Sequence, residues 1–160
     1  MIELLRVDDR LIHGQVAVSW TSHLGADTIL VANDRAKDDP LMRSAFKLAK
    51  PPQCLLSIKS VAGAILVINN PKHEERRIFV VCASPEDALK IVRQCPEVKN
   101  VCLGGIRQSG KRKQVAPQVY LDSDDLKAVK EIDSLGRSVY LQSLPEQKAM
   151  TLSDIEQALS

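Results

Sequence analysis

Aromatic side chains are scarce in this 160-residue chain: one Trp, two Tyr and two Phe. A stacking platform for single-stranded nucleic acid needs aromatics on a basic face, and this chain can hardly supply one. Charge of one sign is scarce too. Lys and Arg number 22 against 20 Asp and Glu, a net charge of +2. Polyanion-binding domains carry a larger excess or a basic stripe, so nucleic acid is not an expected partner. No apolar run exceeds Val61–Ile68, far short of the ~20 residues of a membrane span. The first segment, Met1–Gly14, lacks a signal-peptide layout, because Glu3, Arg6, Asp8, Asp9 and Arg10 break its apolar stretch. The cysteines Cys54, Cys82, Cys95 and Cys102 form no C-x-x-C pair and read as buried thiols, with no metal site expected. The chain therefore reads as a cytosolic domain whose contact with a membrane runs through a partner.

What is present is ordinary globular material, 44% apolar and 26% charged. At this length one domain over residues 1–160 is expected, with a core that needs no staples. Short β-rich runs alternate with amphipathic helical stretches. Strands are expected at Ile2–Val7, Thr28–Ala32, Cys54–Lys59, Arg77–Ala83, Val98–Leu103, Val119–Leu121 and Val139–Leu141. Helices are expected at Gly14–Leu24, Pro40–Lys50, Val61–Ile68, from Pro85 to Pro96, from Ser123 to Leu135, and at Leu152–Leu159. Ser84-Pro85-Glu86-Asp87 is a helix start, with Ser as cap, Pro first and acids in the first turn. The alternation predicts an α/β fold, an open and mostly parallel sheet of about seven strands with helices on both faces. Function in such sheets gathers at the carboxyl ends of the strands. That selects Asp8–His13, Asn33-Asp34, Ser84, Gly104–Lys113 and Gln142–Pro145.

The first of these stretches carries the most chemistry. Arg6-Val7-Asp8-Asp9-Arg10-Leu11-Ile12-His13-Gly14-Gln15-Val16 packs titratable side chains between a strand and a helix. His13 before Gly14 can offer a ring nitrogen to a phosphoryl donor, close to helical N–H groups that favour an anion. Gly14 lets backbone approach without a Cβ. Arg10 can fork onto phosphoryl oxygens. Asp9 or Asp8 can fix the imidazole tautomer or hold Arg10. The bland alternative is an ion-paired turn beside a helix-start histidine.

Other stretches carry less. Gly105 to Arg112 almost matches the phosphate-binding G-x-x-x-x-G-K-[ST], but Arg112 has no hydroxyl for Mg²⁺ and no apolar helix follows, so a nucleotide site is rejected. Arg107, Lys111, Arg112 and Lys113 are either a solvated turn or a basic rim that steers an acidic partner. Asn33-Asp34 is a turn or a support of the first loop. His23 and His73 read as surface residues, and Trp20 as core or interface.

RVDDRLIHGQV resembles the signature of the IIB subunits of the mannose/fructose/sorbose (N-acetylgalactosamine) class of the bacterial sugar phosphotransferase system (PTS). The resemblance continues through WTSHLGADTILVANDRAKDDP, VCASPEDALKIV, NVCLGGIRQSGKRKQVAPQVYLDSDDL and YLQSLPEQK, nearly the whole chain. It implies a protein-N(pi)-phosphohistidine–sugar phosphotransferase. His13 then accepts a phosphoryl group at Nδ1 from a phosphorylated IIA partner and passes it to a sugar held by membrane IIC/IID subunits, where sugar recognition largely resides. The resemblance assigns phosphoryl stabilisation to Arg10 and loop orientation to Asp9. It makes Gly104 and Gly105 part of a second loop near the first; with Gly14 and Lys111, which are read from the residues themselves, they are the expected phosphoryl or loop support. It implies no metal or organic cofactor, cytoplasmic location beside the permease, and leaves room for a homodimer. The competing readings are a receiver-like module, with Asp8-Asp9 holding Mg²⁺, and a sugar-binding regulator without phosphohistidine chemistry. The receiver reading lacks an acceptor Asp at the end of Cys54–Lys59 and leaves His13 unused.

Overall fold

The computed structural model describes residues 1–160. The chain forms nine strands and seven α-helices, alternating through its first half except where α2 and α3 follow each other. The strands are β1 (Ile2–Asp8), β2 (Thr28–Ala32), β3 (Leu55–Lys59), β4 (Ile78–Cys82), β5 (Asn100–Gly105), β6 (Lys113–Ala116), β7 (Val119–Leu121), β8 (Ser138–Leu141) and β9 (Met150–Thr151). The helices are α1 (Gly14–Leu24), α2 (Asp34–Asp38), α3 (Pro40–Ala49), α4 (Val61–Asn69), α5 (Pro85–Gln94), α6 (Ser123–Ser134) and α7 (Leu152–Leu159).

Seven strands form one sheet in the order β3-β2-β4-β1-β5-β8-β9. All pairs are parallel except β8–β9. The expected mostly parallel α/β sheet is therefore present. Its membership differs in one place: Val119–Leu121 (β7) leaves the sheet and pairs antiparallel with β6. The seventh place goes to β9, a two-residue strand that runs against β8. The stretch expected as one basic loop thus turns at Gly110 (φ 53°) and leads into a hairpin whose own turn is Pro117-Gln118. A further helix, α2, sits in a charged stretch with one buried residue, Ala36.

The two-residue period of β1 sorts its side chains. Leu5 and Val7 join a larger core cluster, while Leu4 joins a smaller one with Ile12, Ala17, Trp20 and Cys102. Arg6 and Asp8 share Leu4's parity and so point toward α1. β1 lies between β4 and β5. The chain leaves β1 toward β2 on one side and leaves β5 toward β8 on the other. The carboxyl ends of β1 and β5 therefore flank the point where the winding reverses, the usual crevice for ligands in open α/β sheets. The four cysteines are buried.

Candidate phosphoryl-transfer site

The β1–α1 loop is held from below. Leu11 and Ile12 are both buried in the smaller cluster, and Leu11 adopts φ 59°. A left-handed conformation costs a side-chain-bearing residue about 1–2 kcal/mol, so packing must hold it there. The bond from Leu11 N–H to Asp8 O (2.9 Å) closes the turn. His13 follows as the N-cap of α1 in extended geometry, and its side chain caps nothing. All six other α-helices receive a side-chain cap, from Asn33, Asp39, Ser60, Ser84, Asp122 and Thr151. Asn33 is thereby occupied, and Asp34 accepts from Val61 N–H, so this pair serves α2 and α4 rather than the first loop.

His13 Nε2 lies 2.8 Å from Asp8 Oδ2, and the histidine side chain is 18% exposed. Asp8 is 1% exposed. Its Oδ1 accepts from the Arg10 N–H at 3.0 Å, and Arg6 Nη2 reaches Oδ2 at 3.4 Å. Burial pushes the Asp8 carboxyl up. The hydrogen bonds from His13 and Arg10 and the Arg6 charge outweigh burial, so the carboxyl titrates below the ordinary aspartate value. With Nε2 engaged on a carboxylate, the neutral ring keeps its proton there and its lone pair on Nδ1.

Asp9 makes no bond to the imidazole, and its bonds are those of a residue that orients the loop. Its N–H donates to Gly105 O (2.9 Å), and its Oδ2 accepts from the Arg107 N–H (2.9 Å) and Nε (3.2 Å). It straps the first loop to the chain leaving β5. Both carboxylates are thus engaged within the chain, Asp8 through both oxygens and Asp9 through Oδ2, while Asp9 Oδ1 has no hydrogen-bond partner.

The glycines act through space and through φ. Gly104 and Gly105 are the last residues of β5, not a loop. A Cβ on Gly104 would stand 2.0 Å from Arg6 Cζ, and one on Gly105 would stand 3.1 Å from Asp8 Oδ1. Gly14 is the reverse case: a Cβ there would meet nothing within 4 Å, but its φ is 44°.

A cleft of about 320 Å³ opens over His13, lined among others by Asp8, Asp9, Arg10, Arg107, Gln118 and Tyr120. Arg10 is exposed there and makes no ion pair within the chain. Of the basic stretch, only Arg107 lines this cleft. Arg112 is paired to Asp125 (2.9 Å), and Lys111 stands with Lys113 and Leu121 in a separate depression. The hairpin turns the lysines away, which corrects the picture of one basic rim at His13.

Sequence reasoning missed Arg6, which is 2% exposed behind Asp8. The signal was its parity with Leu4 and Asp8 on an otherwise apolar strand. His23 is exposed and meets Trp20 edge-on at 6.0 Å, and no helix is long and apolar enough to cross a membrane.

Comparison with known proteins agrees with the fold. The PTS system sorbose-specific EIIB component of Lacticaseibacillus casei is 34% identical over 85% of this chain and 83% of its own. The crystal structure of the IIBSor domain of the sorbose permease from Klebsiella pneumoniae superposes with a TM-score of 0.93 at 32% identity, covering 98% of this chain and 97% of that one. The mannose-specific EIIAB component of Escherichia coli K12 is 29% identical over 97% of this chain, which spans 48% of that longer protein. Since residues 2–159 match the PTS system sorbose subfamily IIB component, the chain belongs to that family of sugar-specific phosphotransferase-system subunits, and phosphoryl transfer is its role.

Proposed function

We propose that His13 carries the phosphoryl group, on Nδ1. The observation that carries this reading is the tether of Nε2 to the buried Asp8 carboxylate, which leaves Nδ1 as the open ring nitrogen at the mouth of the cleft. The donor is a phosphorylated IIA protein or domain. The name EIIAB of the E. coli relative puts IIA and IIB in one component and supports that order.

The Nδ1 lone pair attacks the phosphorus of the donor's phosphohistidine. The donor P–N bond breaks, and its electron pair returns to the donor imidazole. Asp8 accepts from Nε2–H throughout and balances the positive charge that phosphorylation puts on the ring. The uncapped first turn of α1 and the free Arg10 guanidinium face developing phosphoryl charge with N–H donors. In delivery, a sugar hydroxyl oxygen held by IIC/IID attacks phosphorus. The P–Nδ1 bond returns its pair to His13, and the hydroxyl proton leaves to a base on the sugar side. Positioning and charge stabilisation are the whole demand of such transfers. The subunit works beside its membrane partners.

The test is a relay from labelled phosphoenolpyruvate through the general phosphotransferase proteins and IIA to this chain. The label should be acid-labile and alkali-stable, and should vanish in His13→Gln. Label that persists in that variant sinks the assignment.

A further inference from the structure

Arg6 sits in the middle of β1, within the smaller core, and is 2% exposed. Three walls enclose its guanidinium. Nη1 donates to Gln142 O (3.0 Å), the Trp20 ring lies 5.3 Å from Cζ, and Gly104 leaves the space that a Cβ would fill at 2.0 Å. Nε finds no partner at all. A cation in such a place is costly, and an apolar side chain of similar length often does as well or better for stability alone. Its one nearby anion is Asp8, at 3.4 Å. The other titratable groups facing it are Cys102 of β5 and Tyr140 of β8. Burial pushes that thiol up to about 11 and that phenol up to about 12, so both are neutral at neutral pH. Asp8 in turn faces Arg6, His13, the Arg10 N–H and, from β5, Gly105 and Cys102.

We propose that Arg6 is a positioning residue for His13, which keeps Asp8 ionised with its Oδ2 on Nε2 and so keeps the lone pair on Nδ1. The inference rests on His13 being the phosphoryl acceptor. The reason lies in what a neutral Asp8 would do. A protonated carboxyl is a donor, and a donor aimed at Nε2 drives the ring proton to Nδ1, where it blocks attack on phosphorus. Burial alone pushes Asp8 toward that neutral form. Arg6 opposes it from the interior, out of reach of either partner protein, and makes no hydrogen bond to His13 itself. Gln142 belongs to the same device: its carbonyl accepts from both Arg6 and the Cys102 thiol (3.2 Å), fixing the far side of the guanidinium.

Arg6→Met and Arg6→Lys test this in the same relay, with nitrogen NMR of the His13 ring. Arg6→Met should accept phosphoryl about tenfold or more slowly at neutral pH. Its rate should fall on acidification from a higher pH than in the unaltered protein, with the ring proton shifted toward Nδ1. Arg6→Lys, which restores the charge, should recover most of the rate and the original profile. A folded Arg6→Met protein with unchanged rate, pH profile and tautomer overturns the proposal. Where Arg6→Met does not fold, the unaltered protein decides. The Arg6 Nη–H resonances should move with the same midpoint as the Asp8 carboxyl, and Arg6 resonances indifferent to that titration overturn it equally. Absence of label on His13 in the unaltered protein marks a failure of the acceptor assignment instead, and the ring tautomer still reports on Arg6.

Discussion

Asp8 Oδ2 stands 2.8 Å from His13 Nε2 while the Asp8 carboxyl itself is sealed from solvent. The pair therefore sets which ring nitrogen is available before any partner arrives. Asp8→Asn should weaken both the tautomer preference and the balance of charge on the phosphorylated ring. Phosphoryl acceptance should drop about tenfold to a hundredfold, measured as the rate of labelling by phosphorylated IIA. A rate equal to the unaltered protein would falsify the role given to Asp8.

The same carboxyl makes stability depend on pH. Its folded pKa is depressed, so its contribution is fully present above the ordinary aspartate value and is lost as pH falls through the depressed one. At neutral pH, Asp8→Asn should cost about 3–5 kcal/mol, since it leaves Arg6 buried without its counter-charge. That gap should shrink in acid. Urea unfolding of both proteins at neutral pH and well below the aspartate range checks the sign, and a constant gap contradicts it.

Arg10 should matter to rate rather than to fold. Its guanidinium lines the cleft and engages nothing in the chain, while its N–H alone braces Asp8. Arg10→Ala should label about tenfold or more slowly, with an unchanged melting temperature. Loss of stability in place of rate would reassign Arg10 to the scaffold.

Lys111 and Arg107 should separate by ionic strength. Lys111 lies outside the cleft, so removing its charge should slow transfer at low salt and be silent at high salt. Arg107 lines the cleft and is strapped to Asp9, so Arg107→Ala should slow transfer at both. Identical salt profiles for the two variants would argue that both act by steering alone.

Gly104→Ala places a methyl group 2.0 Å from Arg6 Cζ. Overpacking of this kind costs about 1–3 kcal/mol, or roughly 3–10 °C in melting temperature for a chain of this size. Gly14→Ala meets no atom and should be milder, limited to the strain of its φ. Thermal denaturation of the two alanine variants orders them.

The layered fold was legible because each strand is a short apolar run followed by a helix with a recognisable start, as at Ser84-Pro85. His13 and Gly14 were legible from their place between a strand and a helix. Asp8 was not separated from Asp9, although the period of two along β1 distinguishes them: Asp8 shares the inward face of Leu4 and Arg6, and Asp9 follows it out of the strand. Arg6 escaped notice because a charge inside an apolar run reads as an interruption, and its burial depends on room left by Gly104 almost a hundred residues away. The β6–β7 hairpin was obscured by its composition. Lys113 and Gln114 lack a strand's apolar face, and Pro117 reads as a break. The two strands pair Lys113 with Leu121 and Gln114 with Tyr120, and the backbone of Ile106 ties β7 to the end of β5, donating to Gln118 O and accepting from Tyr120 N–H at 2.9 Å each.

Trp20 is the only tryptophan in the chain. Its ring lies against the Arg6 guanidinium, and its Nε1–H donates to Ser143 O at 2.9 Å. Indole emission responds to nearby charge and to the strength of that hydrogen bond. The protein thus carries its own optical probe one residue removed from Asp8, and a change in tryptophan fluorescence when phosphorylated IIA is mixed in would report the loading of the site in real time without any label.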